Sequence, residues 1–157
     1  MSNWTHGDIQ ANGISIHYVE QGTGPLVLFC HGFPESWYSW RHQIPAVAAA
    51  GYRAVALDMR GYGQTSQPES VDAYSLSHLV GDVVAAVTAL GESEAVVVGH
   101  DWGAPIVWQT ALLHPDRVKA VAGLSVPYMP GTETSFLDLA EQIYQGRFFY
   151  QKYFQEE

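Results

Sequence analysis

Two rhythms of apolar and polar residues run along this chain. Leu26-Val27-Leu28-Phe29-Cys30 is wholly apolar, and Ala54 to Leu57, Ala95 to Val98 and Val118 to Val126 are nearly so. Short runs without a polar face read as strands buried on both sides, the pattern of a parallel sheet. Ile14 to Glu20 alternates instead, as a half-buried strand does. Between these lie helical spacings. Leu76, Leu79, Val80, Val83, Val84, Val87 and Leu90 recur on one helical face, with Ser75 or Ser77 as the cap and Gly91 as the stop. Trp40 to Ala50 predicts a helix ended by Gly51. Gly103 to His114 predicts another, with Pro105 in the tolerated first turn and Pro115 just beyond its end. Strands alternating with helices predict an α/β fold, a mostly parallel sheet flanked by helices. Pro127 and Pro130-Gly131 break the pattern. Residues 1–126 are therefore expected to form one unit. Residues 127–157, helical in pattern from Phe136 and crowded with aromatics, are expected to begin another.

Composition narrows the function classes. A hydrophobic share of 47% against 15% charged residues argues for a folded core in a single 157-residue domain. The net charge is −9 and no basic run occurs, so nucleic acid and anionic membrane surfaces are not expected partners. Met1 to Asp8 carries no basic, apolar leader, and no apolar run reaches the roughly 18 residues of a transmembrane helix. With Cys30 alone, no intramolecular disulfide is possible, and a reducing, cytoplasmic setting is expected. No His/Cys cluster at ligand spacing and no phosphate-cradling glycine loop is present, so neither a metal nor an organic cofactor is expected.

The chemistry concentrates at Val96-Val97-Val98-Gly99-His100-Asp101-Trp102-Gly103. This is a strand running into a G-x-acid-x-G turn that opens a helix, the nucleophile-elbow pattern with Asp where serine usually stands. The exchange alters the reaction class. A serine needs a base to remove its proton before it attacks a carbonyl. A carboxylate, with an ordinary pKa of about 3.9, is already an anion and can displace at saturated carbon. Asp101 is the candidate nucleophile, the plainer alternative being a helix N-cap. Gly99 and Gly103 leave room for the tight turn, and the helix starting at Gly103 points its positive end at the carboxylate.

His31-Gly32-Phe33-Pro34-Glu35-Ser36-Trp37-Tyr38-Ser39-Trp40-Arg41, Asp58-Met59-Arg60-Gly61-Tyr62-Gly63 and Gly99-His100-Asp101-Trp102-Gly103 follow one another in the order found in α/β-hydrolase-fold epoxide hydrolases. The chain closely resembles that family over nearly its whole length. The resemblance implies that Asp101 is the nucleophile and that the backbone N–H groups of Phe33 and Trp102 form the oxyanion hole. It also implies a helical cap beginning after the sixth strand. Phe149-Tyr150-Gln151-Lys152-Tyr153-Phe154 matches the family's cap stretch, which makes Tyr150 an acid that hydrogen-bonds the epoxide oxygen. A phenol, with a pKa near 10, suits that task. Pro34, Trp37 and Gln151 are expected to line the substrate pocket, and the substrate to be a small hydrophobic epoxide.

The family's His base, its acidic partner and the second cap tyrosine follow the cap. All seven histidines here (6, 17, 31, 42, 78, 100 and 114) precede it. Two expectations follow: either the chain is a fragment ending within the cap, or it is a half-protein completed by a C-terminal half or a second copy, which would also cover the open edge of the sixth strand. Haloalkane dehalogenases share the Asp-Trp elbow but usually carry Asn or Glu at the place of Phe33. Their fluoroacetate-acting relatives usually carry Arg at the place of Trp102. A non-catalytic binding module is the third alternative. Among the remaining polar residues, His31 is expected to bond loop backbone, His100 to pack behind the elbow, Asp58 to pair with Arg60, and Cys30 to be an inert buried thiol.

Overall fold

The computed structural model describes residues 4–130, 136–145, 147 and 150–153. Its six strands are β1 (Thr5–Ala11), β2 (Ile14–Gln21), β3 (Leu26–Cys30), β4 (Arg53–Leu57), β5 (Ala95–His100) and β6 (Val118–Leu124). They form one sheet in the order β1-β2-β4-β3-β5-β6. β4, β3, β5 and β6 are parallel, whereas β1 and β2 join antiparallel at one side. The helices are α1 (Gln43–Ala49), α2 (Leu76–Ala89), α3 (Gly103–Leu113), α4 (Phe136–Tyr144) and α5 (Tyr150–Tyr153), with 3-10 turns at Trp37–Trp40 and Val71–Tyr74.

Side-chain alternation divides the core into two layers. From β3, Leu26, Leu28 and Cys30 face one side, where they meet Val83, Val87, Ile106 and Val107 of α2 and α3. Val27 and Phe29 face the other, against Trp40 and Ile44. Both faces of β3 and β4 are thus covered, which is why these strands carry no polar stripe. Full burial of a side chain such as Leu28 contributes about 1.5–3 kcal/mol. Cys30 is likewise enclosed, and burial, aided by the charge of Asp82, pushes its thiol up to about 12. As a neutral thiol it is inert, as expected.

The differences from the sequence pattern have local causes. β1 is an edge strand whose residues lie mostly exposed or half-buried, so it has no apolar run to mark it. What holds it is the Asn12-Gly13 turn, with both residues at positive φ (49° and 78°), the conformation that suits a two-residue hairpin. The expected helix from Trp40 to Ala50 is split: a 3-10 turn ends at Trp40 and α1 starts at Gln43, placing Pro45 in its first turn. Ser75 stands at the N-cap of α2, but its hydroxyl pairs with His78 Nδ1 (2.7 Å) and not with helix backbone.

Asp58 and Arg60 do not pair. Arg60 turns to the α2 side and forms a double hydrogen bond with Asp82, Nε to Oδ2 at 2.7 Å and one terminal nitrogen to Oδ1 at 2.6 Å. Asp58 turns the opposite way, to His17 Nδ1 at 2.8 Å. Strand alternation would put residues two apart on one face, but β4 ends at Leu57 and both residues lie in the segment after it, where the chain turns and takes each side chain to a different partner. Among the described residues, β6 pairs only with β5, and its residues alternate between exposed and half-buried on both faces. No helix among them is long and apolar enough to cross a membrane.

Candidate active site

The site lies where the parallel strands end, at their carboxyl edge, the usual place for a ligand in an open α/β sheet. β5 ends at His100 and α3 begins at Gly103, leaving Asp101 at the apex of the turn. Its φ of 51° is left-handed, a conformation that costs an ordinary L-residue about 1–2 kcal/mol and that Asp adopts more readily than most. The turn is held by its backbone: Asp101 N–H donates to Leu124 O (3.3 Å), and Ala104 N–H donates to Asp101 O (3.0 Å). A side chain at Gly103 would overlap the Cys30 carbonyl, and one at Gly32 would overlap the Asp101 side chain, so the elbow and the loop after β3 meet only because both positions lack a Cβ.

That close approach aims a donor at the carboxylate. Phe33 N–H donates to Asp101 Oδ1 at 2.9 Å. Trp102 is the residue just ahead of α3, so its N–H precedes the donors that the helix satisfies internally. His31, in the same loop as Phe33, is buried and bonded at both ring nitrogens: Nδ1 donates to Gly32 O (2.8 Å) and Nε2 accepts from Met59 N–H (3.0 Å). Burial lowers its pKa, although the Gly32 carbonyl and the charges of Asp58 and Glu35 partly offset that. The neutral ring therefore ties the end of β4 to the loop, the backbone role expected of it.

His100 does not pack behind the elbow. It is partly exposed and faces Glu35, Nδ1 to Oε1 at 3.2 Å, because the side chain points to the face opposite α3. Glu35 Oε2 in turn accepts from Gly32 N–H at 3.2 Å. Partial burial would raise the Glu35 carboxyl, but the hydrogen bonds from Gly32, His100 and Ser39 outweigh it and hold the pKa below the usual value.

A cavity of about 500 Å³ opens in front of the elbow. It is lined by Phe33 and Trp102 from the loop and elbow, Met59, Tyr62 and Tyr74 from the segments after β4, Leu76, Leu79 and Ile106 from α2 and α3, and Tyr150 and Gln151 from α5. Burial raises the Tyr62 pKa and the Asp101 charge raises it further, so this phenol stays protonated. Gln151 Nε2 donates to the Tyr150 hydroxyl at 3.0 Å, while Gln151 Oε1 is buried with no partner among the described residues.

Of the residues expected from the sequence, Phe33, Trp102, Tyr150 and Gln151 line this cavity; Asp101 is not in the lining and is joined to it through the Phe33 N–H. Pro34 and Trp37 are not in its lining. Trp37 packs edge-on against Trp4 (ring centroids 5.1 Å apart) and His6 (5.3 Å), on the β1 side of the loop. Phe148, Phe149 and Phe154 of the aromatic stretch lie outside the described residues. The sequence did not single out Met59, Tyr62, Tyr74, Leu76 and Leu79 as cavity residues. The available signal was positional for the first two, since the segment after β4 leaves the same carboxyl edge as the elbow. Among the described residues no group of three or more His, Cys, Asp or Glu is placed to hold a metal ion.

Comparison with known proteins agrees with this geometry. A family model described as alpha/beta hydrolase fold matches residues 25–157. An epoxide hydrolase of Caballeronia sordidicola is 55% identical over 131 residues, covering 83% of this chain and 40% of that protein. The bifunctional epoxide hydrolase 2 of Sus scrofa is 50% identical over 145 residues, covering 92% of this chain and 26% of that one. Among solved structures, an epoxide hydrolase from an endophytic Streptomyces superposes with a TM-score of 0.94 at 54% identity, covering 99% of this chain and 47% of its own. The Vigna radiata epoxide hydrolase VrEH1 gives 0.93 at 48% identity, with 99% and 49% covered. The chain thus spans between about a quarter and half of the length of the relatives it matches. On its family match, its sheet and its elbow, the chain belongs to the α/β-hydrolase fold family.

Proposed function

We propose that the chain carries the ring-opening half of an epoxide hydrolase. The observation that carries this reading is the bond to Asp101 Oδ1 from the N–H of Phe33, a residue that lines a largely apolar cavity. One carboxylate oxygen is held by the backbone, which leaves the other as an oriented nucleophile. In the proposed reaction Asp101 attacks one epoxide carbon, the C–O bond on that carbon breaks, and the Tyr150 phenol gives its proton to the departing oxygen. The product is a hydroxyalkyl ester on Asp101. Residues 127–157 are read as the start of a cap that brings Tyr150 and Gln151 over the sheet edge. The largely apolar and aromatic walls suit a hydrophobic epoxide.

Release of the diol requires water, a base, and the oxyanion donors Phe33 and Trp102. Losing one such donor costs about 10²–10³ in rate. Of the histidines among the described residues, His31 alone lines the cavity, and both its nitrogens are already bonded. The ester is therefore expected to persist on this chain.

Intact-mass spectrometry of the folded 157-residue chain with styrene oxide, alongside assay of the diol, tests the proposal. One stable adduct per chain, absent in Asp101→Asn, is the expected result. No adduct on a chain shown to be folded, or chloride release from a short haloalkane with no reaction on epoxides, sinks it.

A further inference from the structure

A second buried cluster lies on the far side of the Phe33 loop and takes no part in the chemistry above. Asp58 and His17 are almost wholly enclosed, at 1% and 2% exposure. Asp58 accepts from three separate segments. His17 Nδ1 of β2 reaches Oδ2 at 2.8 Å, Gln64 N–H reaches Oδ2 at 3.2 Å, and Trp37 N–H reaches Oδ1 at 2.9 Å. A side chain on Gly63 would overlap the carboxylate, so the loop after β4 closes directly onto it. With its Nδ1–H given to Asp58, His17 has Nε2 as an acceptor, and His6 Nδ1 (3.0 Å) and Gln64 Nε2 (3.3 Å) sit there. The His6 ring then packs edge-on against the Trp37 ring.

The Phe33 loop is thus pinned at both ends. Glu35 and the His31 ring hold Gly32 at one end; Asp58 holds Trp37 at the other. The Phe33 N–H that meets Asp101 lies between them. Among the described residues Asp58 has no Lys or Arg partner, unlike Asp82 with its Arg60 clamp. A buried carboxylate is costly unless its hydrogen bonds are complete, and here one of the three comes from the Phe33 loop, through Trp37 N–H, and is the only one of them on Oδ1. The loop's place and the carboxylate's satisfaction are therefore one condition.

We propose that Asp58 is a positioning residue for the Asp101 site: held by His17 and backed by His6, it fixes Trp37 N–H and through it the Phe33 N–H that orients the nucleophile. This rests on the ring-opening reading above for its catalytic consequence, but its structural core stands apart from it. Displacement of a reacting group by about 1 Å can cost about 10²-fold in rate, so a small loop shift is enough to be read.

The test is an NMR comparison of the full chain with Asp58→Asn, His17→Leu, His17→Asn and Asp101→Ala. Asp101→Ala calibrates complete loss of the Phe33 bond. In Asp58→Asn and His17→Leu the Phe33 amide proton should move most of the way to its Asp101→Ala position, with the Val55 and Val97 amides unmoved. His17→Asn, whose side-chain amide can donate where Nδ1 did, should restore it. Alkylation by styrene oxide at saturation should fall about tenfold in the two disruptive variants, at unchanged half-saturating concentration. A Phe33 amide unmoved while Trp37 shifts overturns the proposal, as does a uniform shift of Phe33 and core amides together. Should Asp58→Asn not fold, the two His17 variants decide. A wild-type chain that forms no adduct refutes ring opening, while the Phe33 amide still decides the positioning role.

Discussion

Asp82 and Asp101 are each bonded to a residue that lines the cavity, Arg60 and Phe33, yet they are opposite kinds of carboxylate. Asp82, on α2, has both oxygens taken: Arg60 spans them, and Asn12 Nδ2 adds a third bond at 2.7 Å. Asp101 has one oxygen on a backbone N–H, and its fold is strained at φ 51° to put it there. The comparison teaches what separates a structural acid from a reactive one in this molecule. Asp82 is saturated by a cation fixed in place, so its charge stabilises the fold. Asp101 is oriented by a neutral backbone donor at one oxygen, and no cation pairs with it among the described residues.

Breaking the saturated carboxylate should have the largest effect on the fold. Asp82→Ala leaves the Arg60 guanidinium buried without its partner, and denaturant unfolding should record a loss of about 3–5 kcal/mol. Tyr150→Phe strikes the reactive side: with the fold intact, the rate of adduct formation should fall about 10²-fold, as expected for removal of a general acid. The strain at the elbow is read by comparing Asp101→Ala with Asp101→Gly. Both lose the Phe33 bond, so glycine should be the more stable by about 1–2 kcal/mol, the cost of left-handed backbone with a Cβ.

The smallest effect is in pH. Burial holds the His31 pKa below its unfolded value near 6.5, so the unfolded chain takes up this proton first as pH falls. The neutral ring's contribution is fully present above that pH and is lost as pH drops from about 6.5 towards the folded value, at no more than about 1.4 kcal/mol per unit. Unfolding curves across this range should show that slope in the wild-type chain and a flatter one in His31→Gln.

The legible parts of the sequence were those where one face or one turn decides. β3, β4 and β5 are covered on both sides, so their apolar runs announced them, and the spacing of Leu76 to Leu90 announced α2. The elbow was legible because few residue types fit between two glycines at a strand-to-helix turn. Phe33, Trp102 and Tyr150 were picked out by the family resemblance, and the structure puts all three in the cavity lining. What escaped was set by long-range geometry. β1 depends on a hairpin turn and on pairing with β2, and its own residues carry no pattern. Trp37 sits in a motif beside Phe33, but a few residues of loop turned its ring to the β1 side. Asp58 and Arg60 are neighbours in sequence on a segment that turns after β4, so each found its partner from a distant segment: β2 for one, α2 for the other.

What sets Asp101 apart from Asp82, Asp58 and Glu35 is its place at the apex of the elbow with a backbone donor on one oxygen. Peptide mapping of the folded chain after exposure to styrene oxide tests this directly. The account predicts a covalent label confined to Asp101, with Asp82, Asp58 and Glu35 unmodified. Label spread evenly over exposed acids, or none at Asp101, would contradict it.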